Sequence, residues 1–159
     1  MTQVVVIVLA VLIGVIAGLR ALTAPAVVSW GAFLGWIDVD GKWSEWVAHP
    51  ITVTVLTIFL VVELITDQLP KTPSRKTPMQ FIARMITGGF AAAALGTAWG
   101  YPWGCLGAGL IGVVLGTMGG YELRRKLSDK VGIDLPVALT EDAIAVAGGF
   151  AIAALTAAL

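Results

Sequence analysis

The sequence predicts an all-α, polytopic bundle of transmembrane helices, and three observations carry that expectation. Hydrophobic residues make up 58% of the 159 and charged residues 13%, with a mean hydropathy of +0.92, whereas a soluble domain averages about 45–50% apolar and about 25% charged. A water-soluble fold this short could not bury so much apolar surface, but a bilayer solvates it. The apolar residues also fall into runs of about 20, the length that crosses the hydrocarbon core as a helix. Finally, all six tryptophans (Trp30, Trp36, Trp43, Trp46, Trp99 and Trp103) lie between runs or at their edges, where an amphipathic ring favours the headgroup layer.

Five runs qualify as spans of a single transmembrane domain: residues 4–22, 50–67, 79–98, 104–121 and 136–158. The first is apolar without a basic leader or a clear cleavage site, so it reads as a spanning helix rather than a signal peptide. Residues 24–37 are apolar but too short to span, and Pro25 disfavours a continuous helix through that point. This segment is expected to be a broken, re-entrant or interfacial half-helix, with a sixth span as the alternative.

Orientation follows the basic residues. Lys71, Arg75 and Lys76 fall between the second and third spans, and Arg124, Arg125, Lys126 and Lys130 between the fourth and fifth. Both loops therefore lie on one side, expected to be the cytoplasm. The other side carries the tryptophans, Tyr101, Lys42, Asp38, Asp40 and Glu45. Five spans then put the N-terminus in the cytoplasm and the C-terminus outside.

Glycines recur every four residues in the first span (Gly14, Gly18) and the fourth (Gly112, Gly116, Gly120). Small residues at that spacing let helix backbones approach closely, within one chain or across a homodimer. The stretch from Gly14 to Arg20 loosely echoes that from Gly116 to Arg124. In a five-span topology these two helices run in opposite directions, as in an inverted repeat.

Several function classes find no support. Formal net charge is zero, so nothing suggests a nucleic-acid partner. The single cysteine, Cys105, and the single histidine, His49, fit no zinc or iron–sulfur spacing. No phosphate-binding loop, nucleophile elbow or zinc-protease motif is present, and Ser29, Ser44, Ser74 and Ser128 have no histidine partner apart from the outward-lying His49. Neither an enzyme nor a cofactor is expected.

Ionisable residues in or beside spans are the candidate site, because charge in a membrane is costly. Glu63 and Asp67 share one face of the second span, Arg84 lies early in the third, Arg124 ends the fourth, and Glu141 and Asp142 open the fifth. Chain direction brings all six to one depth. In one reading the charges neutralise each other: Arg84 pairs with Glu63 or Asp67, and Thr140 caps a helix whose first turn holds Glu141 and Asp142. In a second, the four carboxylates converge on a cavity that binds a small cation or relays protons, with hard oxygen ligands suited to Mg²⁺, Ca²⁺ or Mn²⁺. In a third, Arg75, Arg84 and Arg124 form a basic site for an anionic lipid or polyprenyl-phosphate headgroup. Arg20 is expected apart from these, near the outer end of the first span, snorkelling to the interface or holding a solute against the broken segment. The function classes are thus a transport-like module for a small cation or protons, a headgroup binder or translocator, and a non-transporting structural partner.

The stretches Ala17-Gly-Leu-Arg-Ala-Leu-Thr-Ala-Pro-Ala26, Glu63-Leu-Ile-Thr-Asp-Gln-Leu-Pro70, Pro73-Ser-Arg75, Ala83-Arg84 and Leu139-Thr-Glu-Asp142 resemble the bacterial membrane family known as domain of unknown function 4126. The resemblance covers nearly the whole chain and is most specific from Glu63 to Arg84. It implies a bacterial inner-membrane protein and brings no established activity.

Overall fold

Proline marks where three of the helices begin. Pro50, Pro78 and Pro102 open α3 (Pro50–Thr66), α4 (Pro78–Thr97) and α5 (Pro102–Val131), where a missing N–H leaves no bond unmade and the fixed φ is already helical. His49 Nδ1 accepts the Ile51 N–H at 3.1 Å and caps α3. Before these come α1 (Thr2–Leu19), α2 (Thr23–Phe33) and a 3₁₀ turn, Glu45–Ala48; α6 (Asp134–Thr156) follows them. The protein is described by a computed structural model over residues 1–68 and 77–159. Among those residues there is no strand, and the all-α expectation holds. Lys71, Ser74, Arg75 and Lys76 lie outside the described residues.

The expected spans match α1, α3, α4 and α6 to within a few residues at each end, and α5 departs from its span. Residues 124–130, expected as a loop, are helical, because nothing breaks the helix before Gly132. Glu122 and Arg125 also pair along this stretch at 2.8 Å. Gly132 caps α5 with a φ of 80°, a left-handed conformation that glycine adopts without steric cost. Because α6 then starts at Asp134, Thr140 lies inside the helix and donates to Pro136 O at 2.8 Å instead of capping.

Close packing comes from glycine. A Cβ on Gly112 would collide with the Val11 carbonyl, one on Gly116 with the Val15 carbonyl, and one on Gly14 with the Gly109 carbonyl. The backbones of α1 and α5 therefore touch within a single chain. Val6, Ala10, Ile13 and Ala17 of α1 are fully buried, so α1 is the core helix around which the others pack.

These contacts also set chain direction and correct the expected topology. Positions 14 and 18 of α1 meet 109 and 113–117 of α5 in the same order, so α1 and α5 run parallel. An inverted repeat would need them opposed, and the glycine echo does not relate such a pair. α4 runs antiparallel to both: Gly88 faces Ala17 and Val113, and Gly96 faces Cys105. α2 runs back along α1 and parallel to α6, with Val27 against Gly149 and Gly31 against Ala153. Thr156 of α6 bonds Trp36 O at 3.0 Å. The start of α1 and the end of α6 thus share the tryptophan end of the bundle, not opposite sides as five alternating spans require.

The half-helix expectation for residues 24–37 is met by α2, with a correction of place. It has 11 residues, about 16 Å of rise, and is buried rather than interfacial: nine of its residues are buried. Trp30 Nε1 donates to Thr57 Oγ1 at 2.9 Å and Trp43 Nε1 to Thr97 Oγ1 at 2.9 Å, tying the tryptophan end to α3 and α4. In its connecting loop, a hydrogen bond from Lys42 holds the exposed Asp38 carboxyl below its ordinary range.

The outer surface is apolar. Ile51, Ile58, Phe59, Val62 and Ile65 of α3 are exposed, as are Ile82 and Ile86 of α4 and Ile111 and Leu115 of α5. α1, α5 and α6 are each long and apolar enough to cross a membrane, and α3 is apolar but shorter. Together these mark a membrane protein.

Candidate functional site

Where α1 stops and α2 starts, the backbone must find partners inside the bundle, since no water is present in lipid to supply them. Side chains from three other helices do so. Arg84 of α4 sends Nη1 to Gly18 O at 2.8 Å and Ala17 O at 3.4 Å, a cation on the negative end of α1. Thr117 of α5 also reaches Gly18 O, at 3.5 Å. Glu63 of α3 accepts the Leu22 N–H through Oε2 at 2.8 Å, an anion on the positive end of α2.

Arg20 sits in this turn and is 1% exposed. Its guanidinium binds two carboxylates from two further elements: Nη1 pairs with Asp67 Oδ2 at the end of α3, and Nε and Nη2 pair with Asp142 Oδ1 of α6. Gln68 Nε2 donates to the other oxygen of Asp142, Oδ2, at 2.7 Å. The cluster therefore joins α1, α2, α3 and α6 through one buried cation. It lies at the level where α1 and α3 end, with Arg20 itself buried; Gly18 is level with Thr117, and α5 runs 14 residues beyond that point, about 21 Å of rise.

Of the four acids expected to converge, Asp67 and Asp142 meet on one cation, and that cation differs from expectation. Arg20 is not at the opposite end of the bundle from the acids: α1 runs parallel to α5, so its C-terminus joins them. Arg20, not Arg84, pairs with Asp67, while Arg84 serves the carbonyls of α1. Glu141 turns from the cluster toward Arg124, 3.6 Å away.

Arg124 is also held by Asp134, through Nε at 3.1 Å and Nη2 at 2.6 Å. Ser128 donates to the same carboxylate at 2.7 Å. Arg124 and Glu141 line an apolar groove of about 340 Å³ between α5 and α6. With two carboxylates already on Arg124, little of its charge is left for an anionic headgroup. Arg75, the third member of the expected basic site, is outside the described residues.

Gln68 is the participant that residue-type reasoning passed over, because a neutral amide beside Asp67 carries no membrane penalty that singles it out. Its position one residue after Asp67, within the stretch Glu63 to Pro70 that carries the family resemblance, was the available signal. Among the described residues no three histidine, cysteine or acidic side chains group as a metal site.

No curated protein and no solved structure matches the chain. A family does: the one described as domain of unknown function (DUF4126), over residues 7–159. With a match across essentially its whole length, the chain belongs to that family.

Proposed function

We propose that the protein is a small transport-like module of a bacterial inner membrane that handles a small cation or protons at the Arg20–Asp67–Asp142 cluster. The observation that supports it most is the fully buried Arg20 at a helix break, holding carboxylates from two other helices. Ionisable groups at membrane depth are retained for function by default, and broken helices build the sites of many transporters. The basic residues 124–130 at one end of the bundle, with 71–76 joining them by sequence, support a cytoplasmic position for that end. The tryptophan end and both termini then face out. Five helices cross, and α2 returns through the protein interior.

Flux in proteoliposomes tests this reading. The wild-type protein should collapse an imposed gradient of at least one of H⁺, Na⁺, K⁺ or Mg²⁺, and Asp67→Asn should lower the rate at least tenfold while the purified variant keeps its size and helicity. A wild-type protein that moves none of the four refutes transport and leaves the cluster as a structural clamp between helices.

A further inference from the structure

We infer that the ligand of this cluster is the proton, not a metal ion, and that Asp142 takes it with Gln68 as its positioning residue. The inference rests on the cluster being the functional site, as proposed above, and names what that site binds.

The oxygens are the first argument. Asp142 Oδ1 receives Arg20, Asp142 Oδ2 receives Gln68 at 2.7 Å, Asp67 Oδ2 receives Arg20, and Glu63 Oε2 receives the Leu22 N–H at 2.8 Å. Each of these oxygens already faces an N–H donor, which leaves a metal fewer lone pairs than the about six or more oxygen positions a hard cation fills. A guanidinium carries a full positive charge that a carboxylate pair does not remove. A hard cation entering among these oxygens would meet its repulsion at contact distance, in surroundings that screen poorly.

A proton needs one lone pair of one oxygen and no coordination shell, and the repulsion from Arg20 is the one cost it shares with a metal. It adds to one oxygen of Asp142, turning the anion into a neutral acid. The ion pair with Arg20 becomes an ordinary contact, and Arg20 keeps its own proton and its bond to Asp67. Gln68 suits both states: its NH₂ donates to the carboxylate, and its carbonyl can accept from the acid after the amide turns over. The charges around Asp142 are Arg20 from the α1–α2 turn, Asp67 from α3, and the adjacent Glu141, itself facing Arg124 of α5; Glu63 of α3 faces Asp67 and Arg20. Arg84 of α4 lies on the α1 carbonyls of the same break.

An independent observation comes from the same turn. Thr23 donates its N–H to Arg20 O at 3.2 Å. Its hydroxyl is fully buried and has no hydrogen-bond partner among the described residues. A buried hydroxyl left this way calls for water, and water is the carrier by which a proton reaches a turn closed by side chains.

Infrared difference spectroscopy on the full-length protein in lipid, titrated from high to low pH, reads the site directly. A protonated carboxyl band should appear on acidification, be lost in Asp142→Asn, and persist in Asp67→Asn. Gln68→Leu, which removes a hydrogen bond to Asp142 and leaves both charges of its ion pair with Arg20 in place, should shift the midpoint of that band by about one pH unit, the scale of one hydrogen bond to a charged group. Millimolar Mg²⁺ or Ca²⁺ should leave the band and the thermal midpoint unchanged. The inference is overturned by a band that survives in Asp142→Asn, by no band at all, by an unmoved midpoint in Gln68→Leu, or by divalent ions that suppress the band. If Asp142→Asn does not fold, Gln68→Leu decides. Flux separates the two claims. A band at Asp142 without flux keeps proton binding and ends transport. Metal-ion flux without the band does the reverse.

Discussion

Arg20 is the residue on which the interior depends. Its guanidinium serves two acids that would otherwise repel each other in a region of low dielectric. Removing one partner of a buried ion pair typically costs about 3–5 kcal/mol, because the other charge is left uncompensated. Arg20→Met strands two carboxylates and should cost at least that much, whereas Asp67→Asn leaves Arg20 with Asp142 and should cost less. Arg20→Met combined with Asp67→Asn and Asp142→Asn should recover most of the loss. Thermal unfolding of the four proteins in one detergent checks the order. A single Arg20→Met variant as stable as wild type would show that the acids do not need the cation.

At the scale of elements, the α1–α5 contact carries the packing. Gly112 and Gly116 have the Val11 and Val15 carbonyls where a side chain would begin. Backbone cannot move aside as a flexible side chain does, so Gly116→Ala should force the helices apart and cost about 1–3 kcal/mol, the range for overpacking. Gly107 and Gly119, in the same helix, face open space. Alanine at either should be neutral, or stabilising by up to about 1 kcal/mol, because alanine loses less backbone freedom in a helix. Unfolding midpoints for the three variants, together with elution volumes, test this. Equal effects at Gly116 and Gly119 would contradict the contact. The spacing of the glycines was legible in the sequence. Their partner was not, since a four-residue repeat marks a face of a helix without saying what it faces.

For the whole molecule, the bundle puts both termini at the tryptophan end. Chain direction settles this: α1 is parallel to α5, and α6 ends beside Trp36. In intact cells, with the buried Cys105 replaced by alanine, an impermeant thiol reagent should label Thr2→Cys, Lys42→Cys and Ala157→Cys alike, and spare Lys130→Cys. Labelling of Lys42→Cys and Ala157→Cys without Thr2→Cys would restore a five-span alternation and refute the parallel pairing.

The helical class, the positions of the long helices and the gathering of Glu63, Asp67 and Asp142 at one depth follow from the sequence alone. The reason is that hydrocarbon acts on composition and run length, which are local properties. The half-helix at residues 24–37 was legible for the same reason, through its shortness and Pro25. The direction of α1, the company Arg20 keeps and the share taken by Gln68 were decided only in three dimensions. A break between helices sits where side chains satisfy its open backbone, and here those side chains are Arg84 and Glu63, which lie 66 and 41 positions along the chain from the Gly18 and Leu22 they bond. Counting apolar residues assigns such a segment to neither side of the membrane. Contacts between distant helices turn α1 around, and with it Arg20 passes from the rim to the centre of the charge cluster.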